Sequence, residues 1–232
     1  LPNLQREAVV LLHGMGRSWI SMALLAHRLK RRGYETHLFG YWPRRPTLDD
    51  LSKALRSFVA ERVRTPVYHF IGHSLGNVIV RHGFHEGFPP GLGRIVMLSP
   101  PNRPARLAGN LRENPLFRFW TGDSGQKLGD AEFYRTLPVP PVEFGVIVGD
   151  RGHHFGFDEP NDGVVSVAGA KLEGMADFVV LHHTHTLIMM ARDTAELCHR
   201  FLKGGRFGSE RYSAESVAGA GRDTPSSPRE RR

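Results

Sequence analysis

VYHFIGHSLG, residues Val67 to Gly76, decides the reading of this chain. Val67, Tyr68, Phe70 and Ile71 form an apolar, β-favouring run that leads straight into Gly72-His73-Ser74-Leu75-Gly76. That pentapeptide fits G-x-S-x-G, the sharp turn between a strand and a helix on which a nucleophilic serine stands. Such a turn strains the serine backbone, and Gly72 and Gly76, lacking Cβ, let neighbouring chain pass close by. A helix opening at Leu75 aims free N–H groups and the positive end of its dipole at the same spot, which favours negative charge there. Five residues with three fixed also arise by chance as a glycine-rich turn, so the rest of the chain must supply partners for Ser74.

Upstream, Ala8 to Leu12 (AVVLL) is a continuous apolar run suited to a strand buried on both faces, and it ends in His13-Gly14-Met15-Gly16-Arg17. Ser18 is expected to cap a helix to about Arg32, with Ile20, Leu24, Leu25 and Leu29 inward and Gly33 ending it. Glu35 to Gly40 reads as a strand, and Leu48 to Val63 as a helix with Leu51, Leu55, Phe58 and Val59 inward. After the elbow come a helix from Leu75 to His85 and a strand from Arg94 to Leu98 (RIVML). Val142 to Val148 (VEFGVIV) and Asp177 to Leu181 (DFVVL) read as the last strands, and Thr186 to Leu202 as the closing helix. This alternation is that of a parallel sheet with helices on both faces, so ligands bind beyond the carboxyl ends of the strands.

Between Asn102 and Pro141 the periodicity lapses, with aromatics Phe117, Phe119 and Trp120 among glycines and prolines. A long irregular insertion in an α/β domain is usually functional, and we expect a cap or pocket wall, with those three aromatics lining an apolar pocket or packing beneath the loop. The expected organisation is a catalytic domain over 1–207, with 102–141 as cap, and a basic tail over 208–232 too polar to bury the surface that would order it.

The formal charge is +8, but the basic residues gather at helix ends and in the tail, with no aromatic-interleaved stripe or zinc-finger spacing. Nucleic acid is therefore not an expected partner, whereas a mild preference for anionic surfaces is. No apolar run reaches the eighteen or so residues of a membrane span, so stable membrane insertion is not expected either. Cys198 is the only cysteine, which rules out an internal disulfide. The opening Leu1-Pro2 reads as a trimmed start, and the compartment stays open between cytoplasm, slightly favoured, and export. Oligomeric state is not legible.

A serine hydroxyl needs a base to take its proton and an acid to orient that base. In this fold class the order is serine, acid, histidine, and Asn161-Asp162-Gly163-Val164-Val165 supplies Asp162 after the VEFGVIV strand, with Asp150, Asp158 and Glu159 competing in the same loop. After the last strand, Leu181-His182-His183-Thr184-His185-Thr186 offers three histidines; His185, just before the closing helix, is the expected base and His183 the second choice. The cluster lacks HExxH or a Cys/His pair, so no metal site and no cofactor are expected. Two donors must hold the oxyanion, and the backbone N–H groups of Leu75 and Met15 stand in the right places, with His13 and Gly14 shaping the early loop and His73 flanking the serine.

The stretches VVLLHGMGRS, FIGHSLGNVIVR, LGRIVMLSPPNRP, VEFGVIVGDR, NDGVVSV and HTHTLIM resemble the α/β-hydrolase superfamily, more narrowly compact bacterial serine esterases and lipases with an HG-x-G oxyanion loop. The resemblance spans Val9 to Phe207. It implies an α/β-hydrolase fold of about six parallel strands in the order 2-1-3-4-5-6, and a triad of Ser74, Asp162 and His185. It also implies a small-molecule or lipid ester as substrate. Acyltransferase or thioesterase chemistry would use the same triad, and a non-catalytic binding module could keep the same fold. Asn77, where a small residue often follows the elbow, and His153-His154 in the acid loop depart from the pattern and bear on pocket shape.

Overall fold

The computed structural model of the chain describes residues 6–42, 46–103, 131–152 and 159–208. Six parallel strands make one sheet in the order β2-β1-β3-β4-β5-β6: β1 Ala8–Leu12, β2 Glu35–Phe39, β3 Tyr68–His73, β4 Leu92–Leu98, β5 Phe144–Gly149 and β6 Asp177–Leu181. The central strands β1, β3 and β5 are buried along their whole length, which is why they read as unbroken apolar runs.

Alternation along each strand divides the interior in two. Ala8, Val10, Leu12, Phe70 and Met97 face one core, closed by α2 (Leu48–Arg62) and α3 (Leu75–Gly83). Val9, Leu11, Ile71, Val96 and Val179 face the other, closed by α1 (Ala23–Lys30) and the C-terminal helix Arg192–Gly204. Two short helices, α4 (Ala131–Thr136) and α5 (Val167–Ala170), precede and follow β5, so the C-terminal helix is α6. Cys198 is buried in the second core, where desolvation pushes its thiol pKa up.

Three expectations are corrected. Residues 18 to 32 do not form one helix: a 3-10 turn, Trp19–Met22, precedes α1, and Ser18 makes no side-chain cap. Ile20 and Leu24 are consequently exposed, 64% and 39%, and Met22, Leu25, Ala26 and Leu29 are the inward residues. The closing helix begins at Arg192 rather than Thr186, behind a second 3-10 turn, Ile188–Met190. The 102–141 stretch is not irregular throughout, since it holds α4, with Tyr134 and Leu137 in the first core. Phe117, Phe119, Trp120, His153, His154 and the tail beyond Gly208 lie outside the described residues.

Arg81 secures both ends of that stretch to the elbow helix. Buried to 2% exposure, its guanidinium donates from Nε to the Pro138 carbonyl (2.9 Å), from Nη2 to the Leu137 carbonyl (2.8 Å) and from Nη1 to Asn102 Oδ1 (3.0 Å). Asn102 in turn donates to the Ala170 carbonyl at 2.7 Å. Burial lowers the Arg81 pKa to about 10, with Tyr134 acting against the shift.

Candidate active site

Ser74 stands between β3 and α3 with φ 51° and ψ −120°, a left-handed backbone that only a surrounding lattice of contacts can hold for a residue with a Cβ. Its amide donates to the Leu98 carbonyl at 3.0 Å, and Asn77 Nδ2 reaches the Ser74 and Leu98 carbonyls at 3.3 and 3.2 Å. Asn77 is thus an internal brace of the elbow, 1% exposed, rather than a shaper of the pocket. Both elbow glycines are required by close approach. A Cβ on Gly72 would lie 2.9 Å from Asn77 Cγ, and one on Gly76 2.8 Å from Leu12 Cβ.

The loop after β1 is pressed against the serine: a Cβ on Gly14 would lie 3.0 Å from Ser74 Cβ and 2.8 Å from His73 Nδ1. His13 locks this loop. Its ring stacks on Tyr41 with centroids 4.1 Å apart and 10° between planes, while Tyr41 Oη donates to the His13 carbonyl at 2.5 Å. His13 Nδ1 lies 2.8 Å from the Gly14 carbonyl, which can only accept, so Nδ1 carries the proton and Nε2 accepts from the Tyr41 amide at 3.4 Å. Desolvation holds the His13 pKa below the usual imidazole value, against the two backbone hydrogen bonds. Met15 follows Gly14 directly. Leu75 opens α3, where an amide has no carbonyl of its own helix to bond.

The structure sorts the three clustered histidines by partner. His182, exposed, pairs with Asp150 at 2.9 Å; His183 pairs with Asp193 at 2.9 Å; His185 Nδ1 pairs with Asp162 Oδ2 at 2.8 Å. Each ring has its own carboxylate, and no group of three metal-ligating side chains occurs among the described residues.

The Asp162–His185 pair is held on every side. The His185 amide donates to the Asp162 carbonyl at 2.9 Å, and Asp162 Oδ1 accepts from the Val164 and Val165 amides at 3.0 and 2.8 Å. Burial by itself would raise the Asp162 pKa. The hydrogen bond and charge of His185, the Val165 amide and the nearby Ser99 hydroxyl outweigh it and hold the carboxyl below its usual range. Ser99, itself at φ 43°, approaches this carboxylate without completing a well-formed hydrogen bond. With Nδ1–H given to Asp162, His185 Nε2 is left as an acceptor.

His73, next to Ser74, joins the serine side of the site to the histidine side. Its Nε2 donates to the His185 carbonyl at 2.9 Å, and the two rings lie 4.8 Å apart. Burial, then the neighbouring His185, keeps His73 far below the ordinary imidazole pKa, and its Nδ1 faces Gly14 unpartnered. Among the described residues Ser74 Oγ forms no hydrogen bond to His185 Nε2. The structure therefore pairs Asp162 with His185 and ties the loops carrying Ser74 and His185 together through His73.

The model of a family described as the alpha/beta hydrolase family matches residues 9–145. The chain belongs to the alpha/beta hydrolase family. A search of curated proteins finds no matching sequence. Among solved structures, mature lipase BlEst2 of Bacillus licheniformis superposes with a TM-score of 0.66 at 16% identity, over 82% of this chain and 89% of that one. A metagenomic carboxyl esterase, MGS0156, gives 0.64 at 18%, over 80% and 66%. A lipase-esterase related protein from Clostridium acetobutylicum gives 0.57 at 16%, over 84% and 94%. At such identities the likeness is one of fold.

Within this alpha/beta hydrolase, Ser74, Asp162 and His185 stand out in the sequence, whereas the residues that brace their loops do not. Tyr41, Ser99, Arg81 and Asn102 carried no motif. Ser99-Pro100-Pro101 at the end of an apolar strand was the one available signal, since ligand-facing loops follow strands.

Proposed function

We propose that the protein is a serine carboxylic-ester hydrolase, an esterase or lipase working through an acyl-enzyme. Ser74 attacks the ester carbonyl and His185 Nε2 takes its proton. Asp162 fixes the imidazole tautomer and steadies the imidazolium, and the Met15 and Leu75 amides receive the oxyanion. His185 then returns the proton to the leaving alcohol, and water repeats the sequence in reverse to free the acid. The catalytic unit is 1–207 in this reading, with 102–141 as the wall of an acyl pocket to which Phe117, Phe119 and Trp120 contribute.

The observation that carries the reading is a positive-φ serine at a strand-to-helix turn beside a buried histidine that gives Nδ1–H to a buried aspartate at 2.8 Å. A structural role alone does not call for a serine at φ 51°, where glycine would serve without strain.

The test is hydrolysis of p-nitrophenyl acyl esters of increasing chain length. Wild type is expected to turn over at least one length. Ser74→Ala and His185→Ala should lose several orders of magnitude in kcat, and Asp162→Asn, which keeps the shape but not the tautomer, roughly 10⁴-fold. A folded wild type inert on every ester would overturn the hydrolase reading in favour of acyl transfer to another acceptor or thioester chemistry.

A further inference from the structure

Ile20 and Leu24, displaced outward by the 3-10 turn, do not stand alone. Trp19, Ile20 and Leu24 are 49%, 64% and 39% exposed, and Leu187 and Met190 are 56% and 43% exposed. The two 3-10 turns and α1 pack against one another, and Arg28 ties them, donating to the Met190 and Ala191 carbonyls at 2.5 and 2.8 Å. These side chains therefore occupy one side of the molecule. Trp19 follows the Gly14–Met15 loop and Leu187 follows His185, so both stand only a few residues along the chain from the candidate active site. Single exposed apolar residues are ordinary, but five on three contiguous elements, one of them tryptophan, are not.

What surrounds them indicates the partner. From Ile20 on the 3-10 turn the outward face continues along α1 through Leu24, His27 and half-buried Arg28 to Arg31 at its C-cap. Leu24 and these basic residues, with Arg32 and Arg192, line an open groove of about 590 Å³. Of the two carboxylates on the first turns of α6, Asp193 is engaged with His183, and Glu196 pairs with Arg200 and with Arg32 at the groove's edge, leaving Arg31 and Arg192 of the groove to solvent. Among the described residues Arg31 and Arg192 have no carboxylate partner. An apolar strip with a tryptophan, continued by unneutralised arginines on a chain of net charge +8, matches the layering of an anionic bilayer, with phosphates outside and acyl chains within.

We infer that this face docks the protein on an anionic lipid surface, with Trp19, Ile20 and Leu24 seated at the headgroup–acyl boundary and Arg31 and Arg192 on lipid phosphates. The inference is independent of ester hydrolysis. It adds a location for the protein at work.

The experiment is co-sedimentation of the full chain with vesicles of phosphatidylcholine or of phosphatidylcholine mixed with phosphatidylglycerol. Carrying Ser74→Ala throughout keeps the lipids intact. Binding to the mixed vesicles, weak binding to neutral ones and loss of the preference at high salt are expected. Arg31→Ser with Arg192→Ser should weaken partitioning roughly 30-fold, and Ile20→Glu at least about tenfold. Remade with the native serine at position 74, these variants should keep the soluble-ester activity and urea midpoint of wild type, which separates lost docking from lost folding. Equal partitioning into both vesicle types, or variants that bind like the parent, would overturn the inference. So would displacement by millimolar inorganic phosphate, which would make the groove a small-anion site. A dimer that Ile20→Glu dissociates, with no vesicle binding, would assign the face to a second copy of the chain.

Discussion

Gly14 shows how one missing methyl positions a site. Its Cα sits where an added Cβ would press on Ser74 and His73 at 3.0 and 2.8 Å, and the His13–Tyr41 stack blocks the loop from retreating. Gly14→Ala is expected to move the Met15 amide away from the oxyanion position. The result should be a fall of about 10²-fold in kcat with little change in KM, since a donor aimed at developing charge acts chiefly in the transition state. An unchanged kcat in a folded Gly14→Ala protein would remove Met15 from the oxyanion hole. Gly72→Ala, whose Cβ would collide with Asn77, should instead cost stability, about 1–3 kcal/mol, because the elbow brace itself must shift. At this scale the sequence was most legible. Ser74, Asp162 and His185 each follow a strand and carry local signatures. The pairing of His182 with Asp150 and His183 with Asp193 carries none, because it depends on how the loop after β6 lies against the end of β5 and the first turn of α6.

Elements were legible where burial was total and less so where it was partial. The strands were plain because runs such as AVVLL and FGVIVG bury every residue. The first helix was misread because a single 3.6-residue period was laid over residues 18 to 32. A 3-10 turn advances three residues per turn, so the phase changes across the Met22–Ala23 junction, and of the expected inward residues Ile20 and Leu24 face outward while Leu25 and Leu29 stay in the core. The role of α3 was also hidden. Its Arg81 holds two backbone carbonyls and Asn102 in an interior without a carboxylate partner for it among the described residues. Arg81→Ala would leave those acceptors buried and unpaired, and is expected to lower stability by about 3 kcal/mol or more. Arg81→Lys should recover only part of this, having no planar fork. Equal urea midpoints for wild type and both variants would show that the clamp contributes nothing.

The whole molecule carries an acid sensitivity. His13, His69 and His73 are all held below the free imidazole pKa of 6.5, in each case chiefly by burial, although Glu7 works against the shift at His69. An unfolded chain takes up these protons as pH falls below 6.5 and the fold does not, so stability should decline from there downward. His73 alone gives a slope of about 1.4 kcal/mol per pH unit while it stays neutral in the fold. Asp162 has the opposite ionisation with the same sign: its depressed pKa stabilises the fold above the ordinary carboxylate range, and this is lost as pH drops below it. Urea midpoints measured between about pH 7.5 and 5.5 should therefore fall on acidification. A flat or rising profile would mean that these imidazoles protonate within the fold.

The strand order 2-1-3-4-5-6 also sets a timetable. From β4 onward each new strand adds beside the one made just before it, so the sheet can grow outward as the chain leaves the ribosome. Ser74 is synthesised early, just after the third strand, whereas Asp162 follows the fifth and His185 the sixth. On the proposed mechanism a nascent chain thus holds its nucleophile without a base until its last strand docks. A stalled or truncated product ending before Asp177 should be unreactive towards serine-directed fluorophosphonates, so that, if the proposed chemistry holds, activity arrives only with the finished sheet.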